Sequence, residues 1–100
     1  MKTATSTDPQ SDILIIGGGL AGLCAAAHAA RAGASVTLLE KGKSLGGRAS
    51  TQEREGFLLN QGAHALYKAG VGRRILRDLG IEPRGGIPAQ SGGFAIANGV

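Results

Sequence analysis

The patterned part of the chain opens with an unbroken apolar run, Ile13-Leu14-Ile15-Ile16, that passes directly into Gly17-Gly18-Gly19. Four β-branched or aliphatic residues bounded by glycine predict a strand and a tight turn. Strong helix formers follow from residue 20 to residue 32. Gly22, Ala26 and Ala30 recur there every four residues, with an adjoining apolar stripe of Leu20, Leu23, Cys24 and Ala27. Small residues on one face let such a helix lie close against a sheet, and Gly33 stands where a helix stop belongs. A second strand is expected over residues 35–39, ending at Glu40. Residues 50–53 and 57–60 read as the arms of a hairpin around Arg54-Glu55-Gly56. Val71, Ile75, Leu76 and Leu79 recur at helical spacing before Gly80, with Arg73, Arg74, Arg77 and Asp78 between them, which predicts an amphipathic surface helix.

Two prolines and four glycines make residues 82–93 a loop. A short strand is expected at residues 94–97, followed by the hairpin signal Asn98-Gly99, which leaves only Val100 for a returning arm. The chain is therefore expected to be a fragment ending within a fold. Strand, turn, helix and strand in succession place it in the α/β class. The expected fold is Rossmann-like, a parallel sheet with helices plus a β-hairpin, and incomplete because only two parallel strands are in view.

Composition sharpens this picture in three places. Hydrophobic residues at 42% and charged residues at 18% suit a globular chain, but two Phe, one Tyr and no Trp leave little bulky material for an independent core. Residues 13–30 carry no formal charge and are long enough to be mistaken for a membrane span. Three glycines break the run after four apolar residues, and the remainder is rich in alanine rather than leucine, so a strand-turn-helix unit explains it better. Residues 1–11 read as a flexible tail. They lack an apolar signal segment and hold Lys2 as their only basic residue, so the expected compartment is the cytoplasm.

The net charge of +4 draws on Lys68, Arg73, Arg74, Arg77 and Arg84 in the second half. Without aromatic interleaving or a nucleic-acid module, these read as a solvated helix face and no nucleic-acid partner is expected. The single Cys24 allows no internal disulfide or cysteine metal cluster, and no metal site is expected. Cys24 on its apolar stripe reads as packing, and His28 one turn later as a surface or packed histidine.

Candidate chemistry centres on Gly17, Gly19 and Gly22, which have the GxGxxG spacing. One glycine makes the turn, one lets the backbone approach a pyrophosphate, and one lets helix and strand pack closely. Leu20, Ala21 and Gly22 open the helix, whose free N–H groups and positive dipole end favour phosphate. Glu40 lies 18 residues after Gly22, at the expected tip of the second strand, where a carboxylate can accept hydrogen bonds from both hydroxyls of an adenosine ribose and repel a 2′-phosphate. Lys41 beside it belongs to the same candidate set. Gly46 and Gly47 then allow close approach to a ligand, and Arg48 supplies a permanent planar cation suited to phosphate oxygens. If the two glycine loops converge, helix N–H groups and a guanidinium hold a pyrophosphate between them.

Taken together, Gly17-Gly18-Gly19-Leu20-Ala21-Gly22, Ala26, Gly33, Glu40 and Gly46-Gly47-Arg48-Ala49-Ser50 resemble the N-terminal segment of the FAD-dependent amine oxidase, phytoene desaturase and protoporphyrinogen oxidase superfamily. Gly56-Phe57 followed by Gly62-Ala63-His64 looks most like its phytoene desaturase branch. The resemblance implies an oxidoreductase that transfers hydride from an organic substrate, such as an amine or terpenoid, to FAD. On that view residues 12–100 are the N-terminal part of an FAD-binding domain, supplying the ADP-binding half of the site. It implies contacts to pyrophosphate from Gly17, Gly19 and Gly22, to ribose from Glu40, and to phosphate from Gly47 and Arg48, with Gly62, Ala63 and His64 near the flavin ring. Asn60 stands where these families usually carry Asp, which removes a charge and keeps a hydrogen-bonding side chain.

The resemblance assigns no catalytic residue, since the flavin carries the chemistry and this segment binds and orients it. The expected partner is a small organic substrate. No transmembrane segment is expected, and peripheral membrane contact of a full-length protein stays open, as do the electron acceptor and the oligomeric state. Two other readings remain. An NAD-binding dehydrogenase is compatible with Glu40 but leaves Gly46-Gly47-Arg48 without a role. A non-enzymatic binding protein on the same scaffold, like the Rab GDP-dissociation inhibitors, fits less well with an intact glycine fingerprint.

Overall fold

The computed structural model describes residues 10–92 together with Ala97 and Asn98. The strand expected at residues 94–97 and the Asn98-Gly99 turn therefore lie largely outside the described residues, as does most of the expected tail. Strand β1 (Ile13–Ile16), helix α1 (Leu20–Arg31) and strand β2 (Val36–Leu39) follow one another, and the two strands pair in parallel from Ile13 opposite Val36 to Ile16 opposite Leu39. This is the β-α-β unit that the apolar pattern predicts.

The register is set by a polar clamp at the base of the sheet. The Asp12 Oδ2 accepts from both the backbone N–H (2.9 Å) and the hydroxyl (2.8 Å) of Ser35, while the Asp12 N–H donates to Ser35 Oγ at 2.9 Å. These bonds hold the Asp12 carboxyl below the usual aspartate range, the Ser35 backbone N–H first and its hydroxyl second. They also explain why β2 begins at Val36 and not at Ser35 as expected, because Ser35 is engaged in the clamp. Above them the Ile13 N–H donates to Ser35 O at 3.1 Å and starts the ladder.

Helix α1 packs on one face of this sheet. Ile15, Val36 and Leu38 on that face are half-buried, whereas Leu14, Ile16 and Leu39 on the other are exposed, Ile16 to 83%. One helix on a two-stranded sheet covers a single face, so among the described residues no apolar side chain is fully buried. Ala30, expected on the packed face, is exposed, as is Leu20.

Both helices end in the same way. After α1 the Gly33 N–H donates to Ala30 O and the Ala34 N–H to Ala29 O, with Gly33 at φ +94°. After helix α2 (Val71–Asp78) the Gly80 N–H donates to Arg77 O and the Ile81 N–H to Leu76 O, with Gly80 at φ +80°. These are Schellman closures, which need a left-handed residue at the stop and therefore select glycine. The helix expected over residues 20–32 thus ends at Arg31, with Ala32 as its cap.

Strands β3 (Thr51–Arg54) and β4 (Phe57–Asn60) form an antiparallel hairpin. Its turn is two residues long, Glu55 and Gly56, and not the three expected, because Arg54 pairs with Phe57 inside the ladder. Both turn residues have positive φ, +51° and +81°. Such a turn matches the twist of the arms but strains a glutamate.

Two stability effects follow. Glu55→Asn is expected to raise unfolding stability by about 0.5–1 kcal/mol, part of the left-handed cost that Asn largely avoids; a urea midpoint below that of the parent would contradict the turn geometry. The Asp12 carboxyl has a lowered pKa in the folded state, so the clamp contributes fully above the ordinary aspartate value of about 3.9 and is lost as pH falls below it through the folded value. The stability gap between the parent and Asp12→Ala should therefore be present at neutral pH and close as pH falls below about 3.9, as read by denaturant midpoints across pH.

Candidate dinucleotide site

The site grows from the tip of β1. The ladder carries on past the strand, with the Gly17 N–H donating to Leu39 O at 2.7 Å, and the chain then turns through Gly17 at φ +105° into α1. Gly22 lies directly over this turn: a Cβ there would meet Gly17 O at 1.9 Å and Ile15 Cγ2 at 3.5 Å. Any side chain at 22 would push the helix off the turn, which is the close packing that the third glycine of the fingerprint is expected to provide. Helix α1 starts with Gly19 as its cap, with no side-chain hydrogen bond and no acidic residue in its first turn. The first helical bond closes from the Leu23 N–H to Gly19 O, so the N–H groups of Leu20, Ala21 and Gly22 have no partner among the described residues and are available to an anion.

Glu40 joins the tip of β2 to this turn. Its Oε2 accepts the Gly18 N–H at 2.6 Å and its Oε1 the Gly42 N–H at 2.7 Å. The Gly42 amide first and the Gly18 amide second hold its carboxyl below the usual glutamate range, with the Lys41 charge adding to them, so it stays anionic at neutral pH. Each oxygen has acceptor capacity left for ribose hydroxyls. Gly18 is the one buried residue among those described. The GxGxxG spacing assigns Gly18 no role of its own, and its only signals in the sequence are its place in a glycine triplet and the acid 22 positions later.

The second glycine loop meets the first. The Gly46 N–H donates to Gly18 O at 2.8 Å, and Gly46 bridges Gly19 in parallel. Gly46 is left-handed at φ +108° and leads into a single 3-10 turn, Gly47–Ala49. A Cβ on Gly47 would come 3.4 Å from Gly19 Cα. Arg48 in this turn is exposed, and its guanidinium has no hydrogen-bond or ion-pair partner among the described residues.

A cavity of about 890 Å³ opens beside these loops. Among the expected site residues Gly17, Gly19, Leu20, Ala21, Gly22, Arg48 and Ala63 line it. Glu40, Lys41 and Gly47 do not line it. Gly62 packs behind Arg48, where a Cβ would approach Arg48 O to 2.8 Å, and His64 is exposed and outside the cavity wall. The rest of the wall includes Cys24, expected to be packing, and His28, expected to be a surface or packed histidine, from α1, and Ile75 and Leu76 from the apolar positions of α2. The thiol and imidazole lie one turn apart on the helix face that looks into the space. No helix among the described residues is long and apolar enough to cross a membrane.

Comparison with known proteins agrees with this geometry. The chain is 45% identical over 73 residues to a carotenoid 3,4-desaturase of Haloarcula japonica, covering 73% of this chain and 15% of that protein. It is 40% identical over 75 residues to a phytoene desaturase of Cercospora nicotianae, covering 75% and 12% respectively. An L-amino-acid oxidase of Sistrurus catenatus edwardsii is 35% identical over 79 residues, covering 78% of this chain and 15% of the oxidase. The chain thus spans between 12% and 15% of the length of these relatives. Residues 15–79, from within β1 to just past α2, match the family described as the NAD(P)-binding Rossmann-like domain. The chain belongs to that family.

Proposed function

We propose that this chain is the ADP-binding half of an FAD site in an oxidoreductase that takes hydride from a small organic substrate such as an amine or a terpenoid. The observation that carries this reading is the junction of the two glycine loops, made by the Gly46 N–H to Gly18 O bond and the Gly19–Gly46 bridge. It brings to the wall of one cavity the helix-start residues Leu20, Ala21 and Gly22 and Arg48, whose N–H groups and guanidinium have no partner among the described residues. Amide and guanidinium donors on one cavity suit the two negative charges of a pyrophosphate. Backbone approach is open at Gly17 and Gly19, where an added Cβ would meet nothing within 4 Å. The residues present therefore fit the group.

In this reading Leu20, Ala21 and Gly22 bind pyrophosphate oxygens through their N–H groups, and Arg48 neutralises them from the second loop. Glu40 accepts from the adenosine ribose and, as a fixed anion, disfavours a 2′-phosphate. Lys41 and Gly47 border this end, while Ala63, with Gly62 and His64 beside it, approaches the flavin side. The flavin, when bound, supplies the hydride acceptor. Desaturase and oxidase names among the similar proteins support a redox role and the range of substrate classes. An NAD-binding dehydrogenase would use the first loop and Glu40 equally well, so the identity of the bound cofactor decides between the two.

The test is to purify the full-length protein and identify what it releases on denaturation. FAD and a yellow protein are expected; NAD alone overturns the assignment. Arg48→Ala removes a charge-assisted phosphate contact and should weaken flavin binding by roughly ten- to a hundredfold. Glu40→Ala should also lower flavin content. Its loss of the Gly18 and Gly42 bonds should show as a lower melting temperature, which Arg48→Ala should leave near the parent. Unchanged flavin content in both variants would sink these roles.

A further inference from the structure

The four basic residues Lys68, Arg73, Arg74 and Arg77 have no part in the dinucleotide site. They converge, with the backbone of Ala69 and Gly70, on a separate groove of about 300 Å³ at the start of α2. Four cations in ten residues repel one another, and helix formation does not require them there. Their compensation within the described residues is partial. Glu82 takes Arg73 at 3.0 Å and reaches Arg77 at 3.9 Å, while Lys68 and Arg74 have no carboxylate partner among the described residues. Arg73 is further oriented by donating to Lys68 O at 3.3 Å, which ties the helix side of the groove to the segment before it. Arg73 and Arg74 sit in the first half of α2, whose N-terminal end is the positive end of the helix dipole and has no acidic residue in its first turn, while Lys68 precedes the helix and Arg77 lies in its last turn. Arg73 and Arg74 thus place positive charge where a surface helix would ordinarily carry acids.

We propose that this groove is a second anion site that binds a phosphate group, distinct from the dinucleotide loops. Lys68 and Arg74 supply the uncompensated charge. Arg73 and Arg77 supply forked N–H donors whose hold on Glu82 a phosphate can share or displace. Glu82 then acts as the resident competitor: while it occupies Arg73, it sets the affinity of the groove for an incoming anion. The phosphate can be free in solution or carried on a lipid headgroup, and the same residues would meet either.

The experiment uses the full-length protein with its cofactor bound, so that the dinucleotide loops are filled. Inorganic phosphate is titrated calorimetrically at physiological salt. Sedimentation with phosphatidylcholine vesicles, with and without phosphatidic acid, provides the lipid arm. The parent is expected to bind inorganic phosphate with Kd of about 1 mM or tighter, weakening as salt rises, or to sediment only with the phosphatidic acid vesicles. The first result assigns a soluble ligand and the second a headgroup. Lys68→Ala/Arg74→Ala should lose roughly tenfold or more in either arm, whereas Glu82→Gln should gain about threefold by removing the competing charge. Absence of binding in both arms, or an affinity that Glu82→Gln and Lys68→Ala/Arg74→Ala leave unchanged, overturns the proposal.

Discussion

The carboxylate of Glu40 is the contact on which the rest of the site depends. It gathers two backbone amides, from Gly18 in the first glycine loop and Gly42 just beyond β2, and so ties the tips of two parallel strands together. A carboxylate is the group suited to this task because it accepts on two oxygens at once, and each bond to a backbone N–H strengthens as the acid is held ionised. With Gly18 fixed in this way, its carbonyl is presented to Gly46, and the second loop docks on the first. The residue that the fingerprint reserves for a ribose thus also builds the loop that would receive the phosphates.

The same economy appears at the other end of the sheet. Asp12 and Ser35 exchange three hydrogen bonds across the bases of β1 and β2. One carboxylate below the sheet and another above it bracket four residue pairs of parallel ladder. Parallel pairing without a tight turn has little local information to set its register, and polar clamps at both ends provide it. Between them the packing is thin. Helix α1 covers one face, and the exposed Leu14, Ile16 and Leu39 form an apolar surface on the other. Backbone geometry and side-chain-to-backbone bonds, more than buried apolar area, define the part of the fold that bears the site.

The cavity lies where these elements leave space. Its glycine-loop end is polar and offers unpaired donors, while the walls from α1 and α2 are mainly aliphatic. The C-terminal ends of the two helices are linked by the Arg31 guanidinium, which donates to Asp78 O. A cation at the negative end of α2 suits the helix dipole as well as the bond. The basic groove along α2 is compensated only in part, by Glu82 on Arg73 and Arg77, while Lys68 and Arg74 have no carboxylate partner among the described residues.

Much of this was legible in the sequence, because the signals were local. An apolar run ending in glycine, a helix of small residues, a left-handed stop at Gly33 and a glycine-bearing turn each express preferences of a few neighbouring residues, and β1, α1, the hairpin and α2 all formed with ends shifted by about one residue at most from where those preferences placed them. The GxGxxG spacing even encoded a contact, since Gly22 is needed by the turn five residues before it. Tertiary structure decided what depends on distant partners. Ser35 left the strand because Asp12 engages it, and Arg54 joined the ladder because Phe57 lies opposite. Gly18 became the buried centre of the site because Glu40 and Gly46 reach it from 22 and 28 positions away. Likewise, no periodicity could show that Cys24, His28, Ile75 and Leu76 share one cavity, since that depends on how two helices separated by a sheet strand and a hairpin come to face each other.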